Sequence, residues 1–422
     1  MTKKTLLFDA SGIAENIGSG SGRSGIFFVS INILNCLIKS GNFDVSLWCR
    51  ADSNNVKFID FAKEKFGKNV QIYFGNKFYK ITDKMFEWDA SLRKSHMNII
   101  KLLLNIFIRK PLNWLGRNIV VLPRFDIALS PMYAFSNKIK ADKKYIILHD
   151  TIPLLLTEYY LLRGDKKHWF YKLVRYIKSG KKCKYFANSV CTKKDFIKLL
   201  DMNPNDITVM PLAAGDNFYH EKDDKKIIKI LQKYNIPTDK KYVFSLCTLE
   251  PRKNLIRAVK TFIEFVKKNK IEDMVFVLGG AHWDKFIGKL EKEIKDLGEY
   301  RDKIVRAGYV MDEDLAALYS GATFFVYTSQ YEGFGLPPLE AMKCGCPVIT
   351  SNTSSLPEVV GDAGIMIDYD SDEQHIAAYE KYYFDKKYRD EMAKKGLNRS
   401  KQFSWEKTTD IIIEQIRKDT YN

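Results

Sequence analysis

Residues 323–351 read TFFVYTSQYEGFGLPPLEAMKCGCPVITS. Two runs rich in aromatic and β-branched residues, TFFVYTS and PVITS, flank a segment with helix punctuation. The stretch therefore predicts strand, glycine loop, helix, strand. Pro337 and Pro338 suit a first helical turn, where the N–H groups they lack would find no partner. Gly345 suits the helix end. Strands joined through helices pair in parallel, and parallel sheets need cover on both faces.

The same pattern recurs outward from there. In the first half, KTLLFDA (4–10), FDVSLWC (43–49), FDIALSP (125–131), KYIILHD (144–150) and KYFANSV (184–190) read as buried strands. IFFVSINILNCLIKSG (26–41) reads as a helix ending at Gly41. In the second half, KYVFSLCT (241–248), MVFVLGG (274–280) and IVRAGYV (304–310) are strands. The fold class is α/β, with two doubly wound domains. A chain of 422 residues exceeds what one core normally supports. The polar stretch AAGDNFYHEKDDKK (213–226) and a charged helix over 227–234 mark the boundary. The expected units are 1–218, 219–402 and a final segment, 403–422. Ligands of such sheets bind beyond the carboxyl ends of the strands, so the crevice between the domains is the expected active site.

Composition narrows the partners. The formal net charge is +17, which favours anionic ligands: phosphorylated small molecules, acidic lipid surfaces or nucleic acid. No nucleic-acid recognition motif accompanies it. Seven cysteines without a C-x-x-C pair fit a reducing, cytoplasmic chain. Asp9 interrupts the short apolar run near the N-terminus, which reads as a first strand rather than a secretory leader. No apolar run has membrane-spanning length. Residues 91–120, however, carry Arg93, Lys94, Lys101, Arg109, Lys110 and Arg117 with no acid, interleaved with aliphatic residues and Trp114. Such a stretch suits peripheral contact with an anionic membrane, or else a core helix with solvated edges.

The chemistry concentrates in the opening stretch. The loop Gly333-Phe334-Gly335-Leu336 feeds a helix N-terminus at the carboxyl end of a strand, which makes an anion site. Glu332 opens the loop and Glu340 sits in the following helix; a carboxylate accepts hydroxyl donors well. Arg252 and Lys253 follow another strand, and His149 follows YIIL at a third strand's carboxyl end. Two Asp-x-Asp matches, Asp312–Asp314 and Asp368–Asp370, lie in a helix start and a turn and read as structural rather than metal-binding.

Glu332 and Glu340, spaced E-x7-E within YEGFGLPPLEAM, resemble the retaining GT-B glycosyltransferases of glycosyltransferase family 4. TLEPRKN (248–254), RAGYVMDEDLAALYSGA (306–322), LHDTIPLLLTEYY (148–160), VLGGAHWDKF (277–286) and ANSVCTKKDF (187–196) resemble family segments too, so the likeness spans most of the chain. The resemblance implies two Rossmann-like domains with a cleft: an acceptor-side first domain, a nucleotide-sugar-binding second domain, and a C-terminal helix packing back on the first. It implies that Glu332 approaches the donor sugar's hydroxyls and that Glu340 binds the ribose. Arg252 and Lys253 would neutralise the diphosphate, and backbone around Tyr309 and Val310 would contact the base. His149 would support the sugar, largely through its backbone carbonyl. Gly25 would open the first helix across the cleft. Cys247 stands where the family usually has glycine.

The expected reaction is retaining, metal-independent hexosyl transfer without a cofactor. The donor is GDP-mannose first, a UDP-sugar second. The acceptor is a glycan, lipid-linked, in surface-polysaccharide (O-antigen or capsule) synthesis on the cytoplasmic membrane face. A sucrose or sugar-phosphate synthase shares the fold and stands as the alternative. A more distant one is an NAD(P)-dependent oxidoreductase, suggested by the G-x-G-x-x-G over Gly20–Gly25. That fingerprint should follow the first strand directly, and here about ten residues intervene.

Overall fold

The computed structural model describes residues 3–17, 25–50, 55–81, 84, 104–157, 169–280 and 284–421. The glycine loop 20–24, the first part of the basic stretch (91–103), residues 158–160 and residues 281–283 lie outside the described residues.

Among the described residues, thirteen strands run in chain order as β1 (Lys4–Asp9), β2 (Phe43–Cys49), β3 (Gln71–Phe74), β4 (Phe125–Ser130), β5 (Ala141–Leu148), β6 (Lys184–Ala187), β7 (Ile207–Val209), β8 (Lys241–Leu246), β9 (Met274–Gly279), β10 (Ile304–Gly308), β11 (Phe324–Tyr327), β12 (Val348–Ser351) and β13 (Gly364–Ile367). They form a seven-stranded sheet ordered β3-β2-β1-β4-β5-β6-β7 and a six-stranded sheet ordered β10-β9-β8-β11-β12-β13. Every pairing is parallel. The order reverses between β1 and β4 in one sheet and between β8 and β11 in the other, giving each a topological switch point.

Apart from the edge strand β10, the strands read from sequence are interior ones with buried runs. β9 is buried at every position and β11 likewise. Sequence reading misses β3, β7 and β13, each three or four residues long and each at a sheet edge. One face of an edge strand meets solvent, so no sustained apolar run marks it.

The helix Trp405–Tyr421 crosses from the second half to the first. It buries Ile412, Ile413 and Ile416, and Asp419 accepts a 2.9 Å hydrogen bond from the Tyr145 hydroxyl of β5. Lys184 of β6 pairs with the same carboxylate at 3.1 Å. The helix Asp224–Lys233 is held to the second half by Lys233, whose Nζ lies 2.6 Å from Asp314. Among the described residues no helix is long and apolar enough to cross a membrane.

β1 runs into the helix Ser11–Ile17, and only then comes the helix Gly25–Ser40. The G-x-G-x-x-G is therefore separated from β1 by a helix, whereas a dinucleotide fingerprint forms the strand-to-helix turn itself.

Candidate active site

At the second switch point β8 and β11 lie side by side, and the segments leaving their carboxyl ends bring Lys253 and Glu332 together. After β8 the chain turns through Pro251–Lys253 and places Asn254 in the left-handed region at φ 58° before the next helix. Lys253 Nζ then lies 2.6 Å from Glu332 Oε1 and donates a 2.6 Å bond to the Tyr327 hydroxyl. Arg252 Nη1 reaches the same Glu332 oxygen at 2.7 Å and donates to the Tyr331 carbonyl at 2.8 Å; Nη2 meets Glu250 at 2.8 Å. Burial alone would raise the Glu332 carboxyl, but Arg252 and Lys253 outweigh it and hold it at about 2. It is an anion at every physiological pH.

The loop after β11 is fixed through its carbonyls. Ser355 Oγ donates to those of Glu332 (2.9 Å) and Phe334 (2.7 Å), and Ser189 Oγ, from the first half, donates to that of Gly333 (2.7 Å). Gly333 must be glycine because a Cβ there would sit 2.0 Å from the His149 carbonyl oxygen. Gly335 has φ 112° and caps the helix Leu336–Lys343. The two glycines thus admit a protein carbonyl and a left-handed turn.

From the first half, His149 follows β5. Its Nε2 lies 2.6 Å from the Pro131 carbonyl, which only accepts, so Nε2 carries the hydrogen. Burial lowers the imidazole to about 4, so the ring is neutral and its Nδ1 is an acceptor. The His149 carbonyl accepts from Asn188 Nδ2 (2.8 Å), and the single hydrogen of the Thr192 hydroxyl is shared between it (3.2 Å) and the Gly333 carbonyl (3.1 Å). A clasp ties the halves beside this contact: the N–H groups of Val190 and Cys191, opening the helix Val190–Leu200, donate to the Glu358 carboxylate at 2.8 and 2.7 Å.

The site opens on one cavity of about 970 Å³ between the halves. Gly25, His149, Arg252, Lys253, Tyr309 and Val310 line it, and so do Glu332, Gly333, Phe334, Gly335, Leu336 and Glu340. Every residue to which the resemblance gives a donor-binding or catalytic role therefore borders one space. Gly25 opposes Leu336, whose Cδ1 would lie 3.8 Å from a Cβ there. Glu340 accepts a 3.2 Å hydrogen bond from the Tyr319 hydroxyl. Burial raises its carboxyl to about 7, against the Tyr319 bond and helped by Asp312. Glu332 and Glu340 thus frame the loop with opposite environments: one ion-paired, the other nearly bare of positive charge.

Sequence reading missed Tyr327, Asn188 and Asp150, which also line the cavity. Burial pushes the Asp150 carboxyl up, against the pull of Arg252. Each of the three ends or follows a strand at the carboxyl side, and that position was the available signal. Among the described residues no three His, Cys, Asp or Glu side chains cluster as metal ligands would. Both Asp-x-Asp matches have structural partners: Asp314 takes Lys233 and the Tyr234 hydroxyl, and Asp370 takes Arg257.

Residues 226–399 match the family described as glycosyl transferases group 1. This part of the chain is similar to group 1 glycosyltransferase domains. It spans β8 to β13 and contains Arg252, Lys253, Glu332 and Glu340. The chain is 35% identical to the O-antigen chain mannosyltransferase B of Escherichia coli over 226 residues, 54% of this chain and 58% of that protein. It is 29% identical to the serotype-specific mannosyltransferase WbdA of Escherichia coli over 276 residues, 64% of this chain and 33% of that protein. The matches thus span little more than half of one relative's length and a third of the other's. Among solved structures, sucrose-phosphate synthase from Thermosynechococcus elongatus superposes with TM-score 0.66 at 14% identity, covering 99% of both chains. WaaG, a glycosyltransferase involved in lipopolysaccharide biosynthesis, gives TM-score 0.65 at 14% identity over 97% of this chain and 99% of that one. At such identity the likeness concerns the fold, which is GT-B.

Proposed function

We propose that the protein transfers a hexose, mannose first, from a nucleotide diphosphate sugar to a hydroxyl of a lipid-linked glycan, in the building of a surface polysaccharide. The observation that carries this reading is the buried Arg252–Lys253–Glu332 cluster at the β8/β11 switch point, in one cavity with Glu340. The group 1 domain and the mannosyltransferase names of the relatives support mannose, and with it GDP-mannose ahead of a UDP-sugar.

In this reading Lys253 keeps one of its three N–H donors for the departing diphosphate, and the Arg252 charge lies beside it, while both hold Glu332. Positive charge fixed at that point stabilises the developing anion without reorganising, so no metal is invoked. Glu332, permanently ionised, accepts from the sugar's hydroxyls. Glu340 accepts from the ribose, and Tyr309 and Val310 border the base. His149 supports the sugar through its backbone carbonyl, and its neutral ring offers Nδ1 as a further acceptor. Attack comes from the face the diphosphate leaves, retaining configuration, and the diphosphate oxygen takes the acceptor's proton. A lipid-linked acceptor places the enzyme on the cytoplasmic membrane face, with residues 91–120 in peripheral contact. A sugar-phosphate synthase remains the second reading, carried by the shared fold.

The test is a panel of GDP-, UDP- and ADP-sugars scored by thermal shift, hydrolysis and transfer, with the product anomer read by NMR. GDP-mannose should raise the melting temperature and be turned over with retention. A panel in which no nucleotide sugar binds or reacts would overturn the reading.

A further inference from the structure

Between its two glycines, Gly333 and Gly335, the loop after β11 carries one side chain, that of Phe334. Glycine leaves the backbone many conformations, so such a loop takes its shape from what its anchors rest on. The Phe334 ring is 5% exposed and meets the Phe403 ring edge-on, with centroids 5.9 Å apart and planes at 77°. An edge-to-face pair of this kind is directional, beyond the apolar area it buries. Both residues border the cavity.

Phe403 belongs to neither sheet. It stands between the helix Lys386–Ser400 of the second half and the helix Trp405–Tyr421, which docks on the first. On the second-half side, the Arg399 guanidinium lies 5.3 Å from the Phe403 ring centroid. Arg399 Nη2 donates to the Glu358 carbonyl at 2.6 Å, and Nε donates to the Val359 carbonyl at 3.1 Å. Those carbonyls belong to the short helix Leu356–Val360, whose Glu358 carboxylate clasps the first half. On the other side Trp405 is buried two residues on. The Thr408 hydroxyl hydrogen is shared between the Ser404 carbonyl (3.0 Å) and that of Pro211 (2.6 Å), which lies in the other segment passing between the halves. The ring under Phe334 is thus tied to both halves at the place where the chain crosses from one to the other.

We propose that Phe403 is a positioning residue for the transfer: through Phe334 it fixes the backbone of the 333–335 loop, and with it the start of the helix Leu336–Lys343, to the crossing between the halves. Phe403 touches no reacting atom in this account. It acts by holding the loop's backbone where the donor's reacting end must lie, and a displacement of about 1 Å at such a site costs roughly 100-fold in rate. Arg252, Lys253 and Glu340 do not hang on this contact, so the loss falls on turnover more than on donor binding. The proposal rests on the reading of the cavity as a nucleotide-sugar site, but the anchoring of the loop is measurable without a sugar.

The test compares the full chain with F403A, F403Y, F334A and F334A/F403A. In F403A, kcat per folded molecule should fall roughly 10- to 100-fold while KM for the nucleotide sugar moves by less than about threefold. F403Y keeps a ring and should return to within about threefold of the parent. The double variant should be no slower than F334A, because one contact serves both residues. Amide hydrogen exchange over residues 332–336 should quicken in F403A while that of β11 does not change. Should F403A fail to fold, F403L keeps apolar bulk without a ring and carries the same measurements. Turnover per folded molecule that stays at the parent's level, additive losses in the double variant, or unchanged exchange over 332–336 would each overturn the proposal. A parent chain that turns over no nucleotide sugar sinks the transferase reading instead, and the exchange measurement still decides whether Phe403 fixes the loop.

Discussion

Lys253 Nζ and Glu332 Oε1 lie 2.6 Å apart with both side chains buried, and the two residues arrive from the strands on either side of a sheet's switch point. A cation held there by an anion is fixed before any ligand enters. In K253A turnover should fall on the order of 100- to 1000-fold, as for loss of one preorganised charge donor. Stability should change far less, because Arg252 still pairs with Glu332 at 2.7 Å. Single-turnover assays beside thermal melts check both; near-normal turnover would remove Lys253 from the chemistry.

Glu332 also sets an acid limit. Its carboxyl is held at about 2 in the fold against an ordinary 4.5. The stability it contributes is complete above the unfolded value and is lost as pH falls through the folded one. Acid unfolding should therefore include this group between about pH 4.5 and 2, and E332Q should flatten the melting temperature there.

Glu340 has the opposite sign. Its carboxyl is raised to about 7, so any stability linked to its protonation is full below 4.5 and fades as pH rises through 7. Charge-assisted bonds from a ribose favour the ionised form. Binding of a nucleotide sugar, whose diphosphate diester does not titrate in this range, should tighten from pH 6 to pH 8. E340Q should bind more weakly and without that slope. Calorimetry at three pH values decides it, and a slope that survives in E340Q would assign it elsewhere.

Gly333→Ala should cost more than a surface glycine substitution, because the new methyl meets the His149 carbonyl at 2.0 Å. Overpacking of this kind costs about 1–3 kcal/mol. Because the clash lies between the two halves, turnover should fall alongside the melting temperature. A variant with both unchanged would mean that the halves separate freely at this contact.

The clasp at Glu358 gives a separate handle. E358A removes the acceptor for two helix-opening N–H groups and should lower stability by about 0.5–2 kcal/mol, as loss of a cap does. E358Q should recover part of it. Chemical denaturation of the three proteins measures the difference. Separately, EDTA should leave sugar transfer unchanged, and loss of activity restored by a divalent cation would revise the role given to Arg252 and Lys253.

The sequence by itself determined the two-sheet plan and part of the cavity's lining. Interior parallel strands are buried on both faces, so they appear as apolar runs, and the loops that matter begin where those runs end. Glu332, Glu340, Arg252, Lys253 and His149 were legible because each sits at such an end or on the helix that follows it. Tertiary structure alone decided what those residues do to one another. That Arg252 and Lys253 converge on one oxygen of Glu332 depends on β8 lying next to β11, strands far apart in the chain. That Gly333 yields its side-chain space to the His149 carbonyl depends on how the halves meet. That Phe107 and Trp114 are exposed was likewise invisible, because helical spacing tells which residues share a face but not which face the body covers.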